Sequence, residues 1–100
     1  MALRVVLRAS ARDDLRSIFE WLNRETGPEF ARDYVRQVRD HCYSLGEFPS
    51  RGRSRADVAP GLRTILFERR AIIAYMVDEE EVQVVRVLHQ GRDITRAFQD

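Results

Sequence analysis

Two apolar stripes of helical period, joined by only a few residues, are the feature that most constrains the fold of this chain. The first stripe is formed by Leu15, Ile18, Phe19 and Leu22. The second is formed by Ala31, Tyr34, Val35, Val38, Cys42 and Leu45. Residues three and four apart lie on the same face of a helix, so each stripe predicts one amphipathic helix. Two helices with so short a connection pack antiparallel, and their stripes must cover a common surface.

Capping signals predict where these helices begin and end. Ser10 is predicted as the N-cap of the first helix, at about residues 11–23. Thr26 is predicted to cap the second helix, where Pro28 is tolerated in the first turn because no intrahelical hydrogen bond is lost there. Gly46 is predicted as the stop signal of that helix.

The remaining chain predicts strands, one before the helices and three after them. The predicted strands are residues 3–8, 62–68, 71–77 and 82–88. Residues 47–61 carry prolines, glycines and charges without a period and are predicted to be a loop. The order is β-α-α-β-β-β, which predicts an α+β fold with an antiparallel sheet and the helical hairpin packed on one face. We expect a single domain spanning residues 1–100.

The last strands carry apolar residues on both faces. Period two predicts that one face of the last strand holds Val82, Val84, Arg86 and Leu88, and that the other holds Gln83, Val85, Val87 and His89. The helical hairpin covers one face only, so the second apolar face is predicted to be exposed to a partner. In the alternative, Ile94 and Phe98, in a final helical turn, fold over part of it.

Composition excludes several kinds of chemistry. The net charge is only +1, and all 17 basic residues are arginine. No side chain can therefore act as a lysine base or Schiff-base nucleophile. Cys42 is the single cysteine, which excludes an intramolecular disulfide and a thiolate metal cluster. No segment has the length and apolar content of a signal peptide or a membrane span. We expect no cofactor, no metal, no membrane partner and a cytoplasmic location.

Four sequence segments together resemble one protein family. They are "LRSIFEWL", "FPSRGR", "GLRTILFERRAIIAYMV" and "VQVVRVLHQGRD". Their order and spacing, over essentially the whole chain, resemble the RelE/ParE toxin superfamily of bacterial toxin-antitoxin systems, and the ending "RVLHQGRD" is most similar to the ParE branch. The resemblance implies a toxin held inactive by a cognate ParD-like antitoxin. ParE-type members inhibit DNA gyrase, whereas RelE-type members cut messenger RNA on the ribosome.

The residues favour the ParE-type activity. RelE-like nucleases are similar in using lysines, arginines and a terminal tyrosine, but lysine is absent here and no tyrosine follows Tyr75. A related glutamate-arginine-histidine mechanism stays open, because four suitable residues are present: Arg63, Glu68, Arg86 and His89. We expect a toxin that inhibits gyrase and assign no catalytic residue. The alternatives are a ribosome-dependent messenger RNA endonuclease with those four residues, or a non-toxic interaction module.

The candidate antitoxin-binding residues lie on the first helix, the sheet and the tail. They are Trp21, Arg63, Tyr75, Val85, Val87 and Arg92. Trp21 lies off the apolar stripe of its helix, which is typical of a partly exposed interface anchor. Arg86 lies among valines and should pair with an acid of this chain or of the partner.

The loop at residues 47–61 concentrates positive charge. Its arginines Arg51, Arg53 and Arg55 could contact phosphates, but the loop shows no aromatic residues interleaved among them. A solvated loop is the simpler interpretation. We therefore expect no direct sequence-specific nucleic-acid binding by the toxin alone.

Overall fold

The computed structural model describes residues 2–89 and 94–98. Along the chain it contains β1 (Arg4–Leu7), α1 (Ala9–Thr26), α2 (Pro28–Ser44), β2 (Arg53–Ser54), β3 (Arg63–Phe67), β4 (Ala71–Val77), β5 (Glu81–His89) and α3 (Ile94–Ala97). The predicted helical hairpin, four strands and final helical turn are confirmed. Within the described ranges, no helix has the length and hydropathy to cross a membrane.

The strands form one five-stranded sheet in the order β1-β5-β4-β3-β2. β2, β3, β4 and β5 pair antiparallel, but β1 pairs parallel to β5, so the sheet is mixed rather than wholly antiparallel. This pairing follows from the connection: the chain leaves β1 through two helices and returns to it only with its last strand. The residues predicted as loop include the short edge strand β2.

Two predicted caps are wrong. α1 begins at Ala9 with Arg8 in the N-cap position, so Ser10 lies inside the helix. The hydroxyl of Thr26 donates to the carbonyl of Leu22 within α1, and Gly27 takes the N-cap position of α2 at a positive φ of 96°. Only glycine adopts that φ without a steric penalty, so the glycine rather than the hydroxyl residue sets the turn between the helices.

One face of the sheet is covered fully and the other in part. The helical hairpin packs on one face and encloses the larger core, which contains Leu15, Ile18, Val38, Ile73, Tyr75 and Val84. The loop before β3 and the short α3 cover the second face. They contribute Leu62 and Ile94, with the partly buried Val58, Ala59 and Phe98. The alternative, in which the tail folds over part of the second face, is what the structure shows, and Leu66 on the same face stays exposed, so the predicted exposure holds for only part of that face.

A β-bulge at Val85 changes which residues of β5 share a face. Ala74 pairs with Arg86 and Tyr75 pairs with Val84, so Val85 is the extra residue. Beyond the bulge the alternation shifts by one position. Val87 joins the hairpin-side core, whereas Leu88 joins Val85 in the second core. Strict period two could not predict this shift, because no glycine or proline marks the bulge.

The start of α1 supplies the hydrogen bonds that β1 is too short to supply. β1 pairs with β5 only as far as Val84, which leaves the later edge of β5 without a neighbouring strand. The hydroxyl of Ser10 donates to the carbonyl of Val85 at 2.7 Å, and the backbone N–H of Val87 donates to Asp14 at 2.8 Å. α1 therefore takes the place of a strand at this edge.

Arg86 neutralises the same carboxylate. Its Nε and Nη2 donate to the two oxygens of Asp14 at 2.7 and 2.9 Å, a bidentate pair. Its Nη1 also lies 3.4 Å from the carbonyl oxygen of Ala97, which connects α3 to the sheet. The expectation that Arg86 pairs with an acid is confirmed, and the acid belongs to this chain.

We predict that Asp14→Ala lowers the free energy of unfolding by about 2–4 kcal/mol, because it leaves the partly buried Arg86 without its carboxylate and the Val87 N–H without its acceptor. The matched control is Asp13→Ala, which removes an exposed acid one residue earlier and should change stability by less than about 0.5 kcal/mol. Urea unfolding followed by circular dichroism measures both. Equal losses in the two variants would contradict the assigned role.

Candidate functional site

A groove of about 790 Å³ lies between β1 and the two long helices. We call it the arginine groove. Its apolar lining includes Val5, Leu15, Phe19, Val35 and Tyr43. Its charged lining consists of Arg12, Arg16, Arg32, Arg36 and Arg39. An apolar floor with cationic walls suits a peptide that carries both apolar and acidic side chains.

Some of the groove arginines are neutralised within the chain and some are not. Arg16 lies 3.6 Å from Asp13, and Arg36 forms an ion pair with Asp33. Arg12 donates to the carbonyl of Leu7 at 2.6 Å. Arg32 and Arg39 have no carboxylate within 4.0 Å among residues 2–89 and 94–98. The groove therefore keeps uncompensated positive charge.

The groove also contains an open sheet edge. β1 is an outer strand, and the groove is lined by its residues Val5, Val6 and Leu7. Just before that segment in the chain, the N–H of Leu3 already donates to the carbonyl of Gly46 at 2.9 Å. An extended peptide segment could hydrogen-bond along β1 while its side chains contact the helices.

The sequence contains a signal for this groove, which was not among the predicted sites. Arg32, Arg36 and Arg39 follow each other at i, i+4 and i+7, and Arg12 and Arg16 are four apart. Such spacings put each set on one helix face. Whether the two sets face the same cleft depends on how the helices pack, which the spacing does not show.

A second candidate site is the loop of residues 48–53, which we call the pinned loop because side-chain hydrogen bonds hold its backbone. The hydroxyl of Tyr75 accepts the N–H of Gly52 at 2.7 Å and donates to the carbonyl of Pro49 at 2.9 Å. Arg63 donates to the carbonyl oxygens of Gly52 and Ser50 at 2.8 and 3.4 Å. Burial raises the pKa of Tyr75, with partial opposition from the Gly52 hydrogen bond, so the hydroxyl stays protonated and able to donate.

The two histidines lie beside aromatic rings and arginines. The His89 ring lies 4.8 Å from the ring of Trp21, which is 43% exposed. Burial, and then the charge of Arg70, lower the pKa of His89. The His41 ring lies 5.4 Å from Phe67, and burial together with Arg51 lowers the pKa of His41. Both imidazoles are therefore favoured in the neutral form.

The four residues considered for a nuclease do not meet in one pocket. Arg86 shares the second face with Ala74 and is bound by Asp14 of α1 at the sheet edge, whereas His89 lies on the hairpin side against Trp21. Arg63 holds the pinned loop, and Glu68 lies in the β3–β4 turn at a positive φ of 48°. Arg63 and Glu68 are separated by the length of β3, roughly 16 Å of extended chain.

The predicted antitoxin-binding residues lie in different environments. Tyr75, Val85 and Val87 are buried within the chain, and Arg63 contacts loop carbonyls. Trp21 is exposed but is not part of the arginine groove. Arg92 lies outside the described residues. The direct role of these residues in antitoxin binding stays a prediction, and the arginine groove is the larger candidate surface.

Comparison with known proteins agrees with this architecture. The family model of the ParE toxin of the type II toxin-antitoxin system parDE matches residues 5–94. Toxin ParE1 of Mycobacterium tuberculosis is 27% identical over 96% of this chain and 98% of the relative. Toxin ParE3 of Caulobacter vibrioides is 28% identical over 85% of this chain and 84% of the relative.

A solved structure has the same fold. A chain of the chromosomal ParDE toxin-antitoxin system from P. aeruginosa superposes with a TM-score of 0.79, at 24% identity, over 89% of this chain and 97% of that chain. The fold class is a helical hairpin packed on a five-stranded sheet, and the family model identifies the family. The chain belongs to the ParE toxin family of type II toxin-antitoxin systems.

We predict that Tyr75→Phe loosens the pinned loop, because the N–H of Gly52 and the carbonyl of Pro49 lose their buried partner. The expected loss of unfolding free energy is about 1–3 kcal/mol, with faster amide hydrogen exchange at Gly52. Tyr43→Phe is the matched control, since it removes the same hydroxyl from an exposed ring. Unchanged exchange at Gly52 in Tyr75→Phe would contradict the assignment.

We also predict that stability falls as pH falls through the histidine range. The unfolded chain binds protons at an ordinary histidine pKa of about 6.5, whereas the folded pKa values of His41 and His89 are lower. The unfolded state then holds more protons, so the free energy of unfolding decreases below about pH 6.5, down to the folded pKa values. His41→Gln/His89→Gln should reduce this decrease. Urea titrations at about pH 7.5 and about pH 5.5 measure it, and an unaltered decrease in the double variant would contradict the prediction.

Proposed function

We propose that this chain is a cytoplasmic toxin that a ParD-like antitoxin holds inactive, and that the free toxin inhibits DNA gyrase. The support for gyrase as the target is membership of the ParE toxin family. The support for an antitoxin partner is the same membership, together with the likeness to a chain from a ParDE toxin-antitoxin system. Gyrase inhibition needs binding rather than bond cleavage by the toxin.

The arginine groove is the observation that best supports antitoxin binding. It joins an apolar floor, an open strand edge and five arginines, of which Arg32 and Arg39 lack carboxylate partners among the described residues. An antitoxin segment with apolar residues toward the floor and acids toward the walls would satisfy all three features. The groove volume of about 790 Å³ is large enough for several side chains.

The positions of the possible nuclease residues count against RNA cleavage, which is the alternative to gyrase inhibition. General acid-base cleavage of RNA requires an acid, a base and a phosphate-stabilising cation around one reacting phosphate. Here Arg86 and His89 lie on opposite faces of the sheet, and Arg63 is engaged by backbone carbonyls. The bidentate Asp14 pair also occupies the Arg86 guanidinium.

We predict that the purified toxin inhibits gyrase supercoiling, and that its antitoxin relieves this inhibition. Arg32→Glu/Arg39→Glu should weaken antitoxin binding about tenfold or more, because it places acids opposite the acids of the partner. This variant should still inhibit gyrase but respond poorly to antitoxin. The assay is supercoiling of relaxed plasmid, with a type I topoisomerase as the control for target specificity.

Arg24→Glu/Arg96→Glu is the matched variant for charge, since it makes the same change at exposed positions outside the groove. It should respond to antitoxin like the unaltered chain. Absence of gyrase inhibition at toxin excess, or cleavage of messenger RNA on translating ribosomes, would overturn the proposed target. Harmless overproduction without antitoxin would favour a non-toxic interaction module.

A further inference from the structure

The pinned loop presents one aromatic ring and two arginines to solvent. Phe48 is 62% exposed, the largest exposed fraction among the described large apolar side chains. Arg51 and Arg53 follow it within five residues and are also exposed. None of the three lines the arginine groove. They form a separate surface at the opposite edge of the sheet, next to the outer strand β2.

The backbone that carries these side chains is fixed from several directions. The N–H of Arg51 donates to the carbonyl of Phe48 at 3.1 Å, which closes a turn across the loop. Tyr75 and Arg63 hold the residues between and after them, as described above. A loop fixed in this way loses little conformational entropy when it binds a ligand.

The Arg51 side chain is itself positioned. Its Nη2 lies 3.3 Å from Nε2 of His41, and the neutral imidazole accepts this hydrogen bond. The contact leaves the other guanidinium N–H groups for a ligand. Arg53 lies in β2, where its backbone pairs with Thr64.

The loop surface carries more positive charge than its carboxylates balance, although Arg53 is close enough to Asp57 to help lower the pKa of that carboxyl. Arg55 pairs with Asp57 through two hydrogen bonds of 3.0 Å. In the part of the chain that the structure describes, Arg51, Arg53 and Arg63 have no carboxylate within 4.0 Å. Phosphate is a good match for such groups, because guanidinium forms forked, charge-assisted hydrogen bonds with it.

The exposed ring distinguishes between possible anions. An unpaired base can stack on the ring while its neighbouring phosphates meet the arginines, so single-stranded nucleic acid uses the ring and the charge together. We propose that the pinned loop binds single-stranded nucleic acid without sequence preference, with Arg51 and Arg53 on phosphates and Phe48 against a base. This site goes beyond the proposed gyrase inhibition, and it stands whether or not the arginine groove binds an antitoxin.

The structure changes the interpretation of this loop. The sequence shows no aromatic residue between its arginines, which favours a simple solvated loop. Phe48 stands three residues before Arg51, and only the fold shows that its ring is exposed to solvent. The site contacts phosphates and one stacked base, so it agrees with the expectation of no sequence-specific recognition.

The test is fluorescence anisotropy of a labelled single-stranded oligonucleotide of about 12 nucleotides, titrated with the full chain between about 50 and 200 mM salt. Phe48→Ala should weaken binding about tenfold, and Phe48→Trp should retain it. Arg51→Ala/Arg53→Ala should weaken binding and make the slope of log K against log salt shallower by about 1.4, since each single-strand phosphate contact contributes roughly 0.7. Circular dichroism confirms that each variant is folded.

Arg24→Ala/Arg96→Ala is the matched control, since it removes two exposed charges elsewhere. It should leave the salt slope unchanged. The proposal is overturned by a lack of saturable binding, by unchanged binding in Phe48→Ala, or by equal losses in the two double-arginine variants. Tighter binding of a duplex, with an affinity that Phe48→Ala does not change, would also overturn it, because such binding needs phosphates alone. These outcomes do not depend on gyrase, so they leave the proposed function to its own assay.

Discussion

The hydrogen bonds of Asp14 with β5 are the interaction on which the rest of the structure depends. A four-residue β1 cannot pair with the whole of a nine-residue β5, and unpaired backbone groups beside a core are costly. Asp14 accepts the N–H of Val87 and Ser10 donates to the carbonyl of Val85, so α1 completes the edge. Arg86 of the same strand then neutralises this carboxylate. These hydrogen bonds fix α1 against the sheet, and they depend on the bulge because it sets the positions of Val85 and Val87.

The bulge decides where partner surfaces can be. It directs Val87 and His89 toward the helical hairpin and Leu88 toward the second core, which α3 and the loop before β3 cover. With most of both faces buried, the two candidate binding surfaces lie at the edges of the sheet. One edge is β1 with the arginine groove, and the other is β2 with the pinned loop. The proposed antitoxin and nucleic-acid sites therefore lie apart.

A chain whose basic residues are all arginine uses the guanidinium in three environments. Arg86 is half-buried and bidentate to an acid, where lysine could not form the same fork. Arg63 donates to backbone carbonyls and shapes a loop. Arg32, Arg39, Arg51 and Arg53 remain exposed, without carboxylate partners among the described residues, on the two proposed binding surfaces. The same side chain thus supports the fold in some places and carries charge for partners in others.

The sequence by itself determined the order of elements, the helical hairpin, and the need of Arg86 for an acid, because periodicity and burial of charge are local properties. The tertiary structure alone decided the parallel pairing of β1, the partner of Arg86, and the bulge. It also decided that Tyr75, Val85 and Val87 are buried and that two arginine stripes face one groove. These features depend on contacts between residues far apart in the chain, such as Asp14 and Val87, and no local pattern specifies which distant residue arrives.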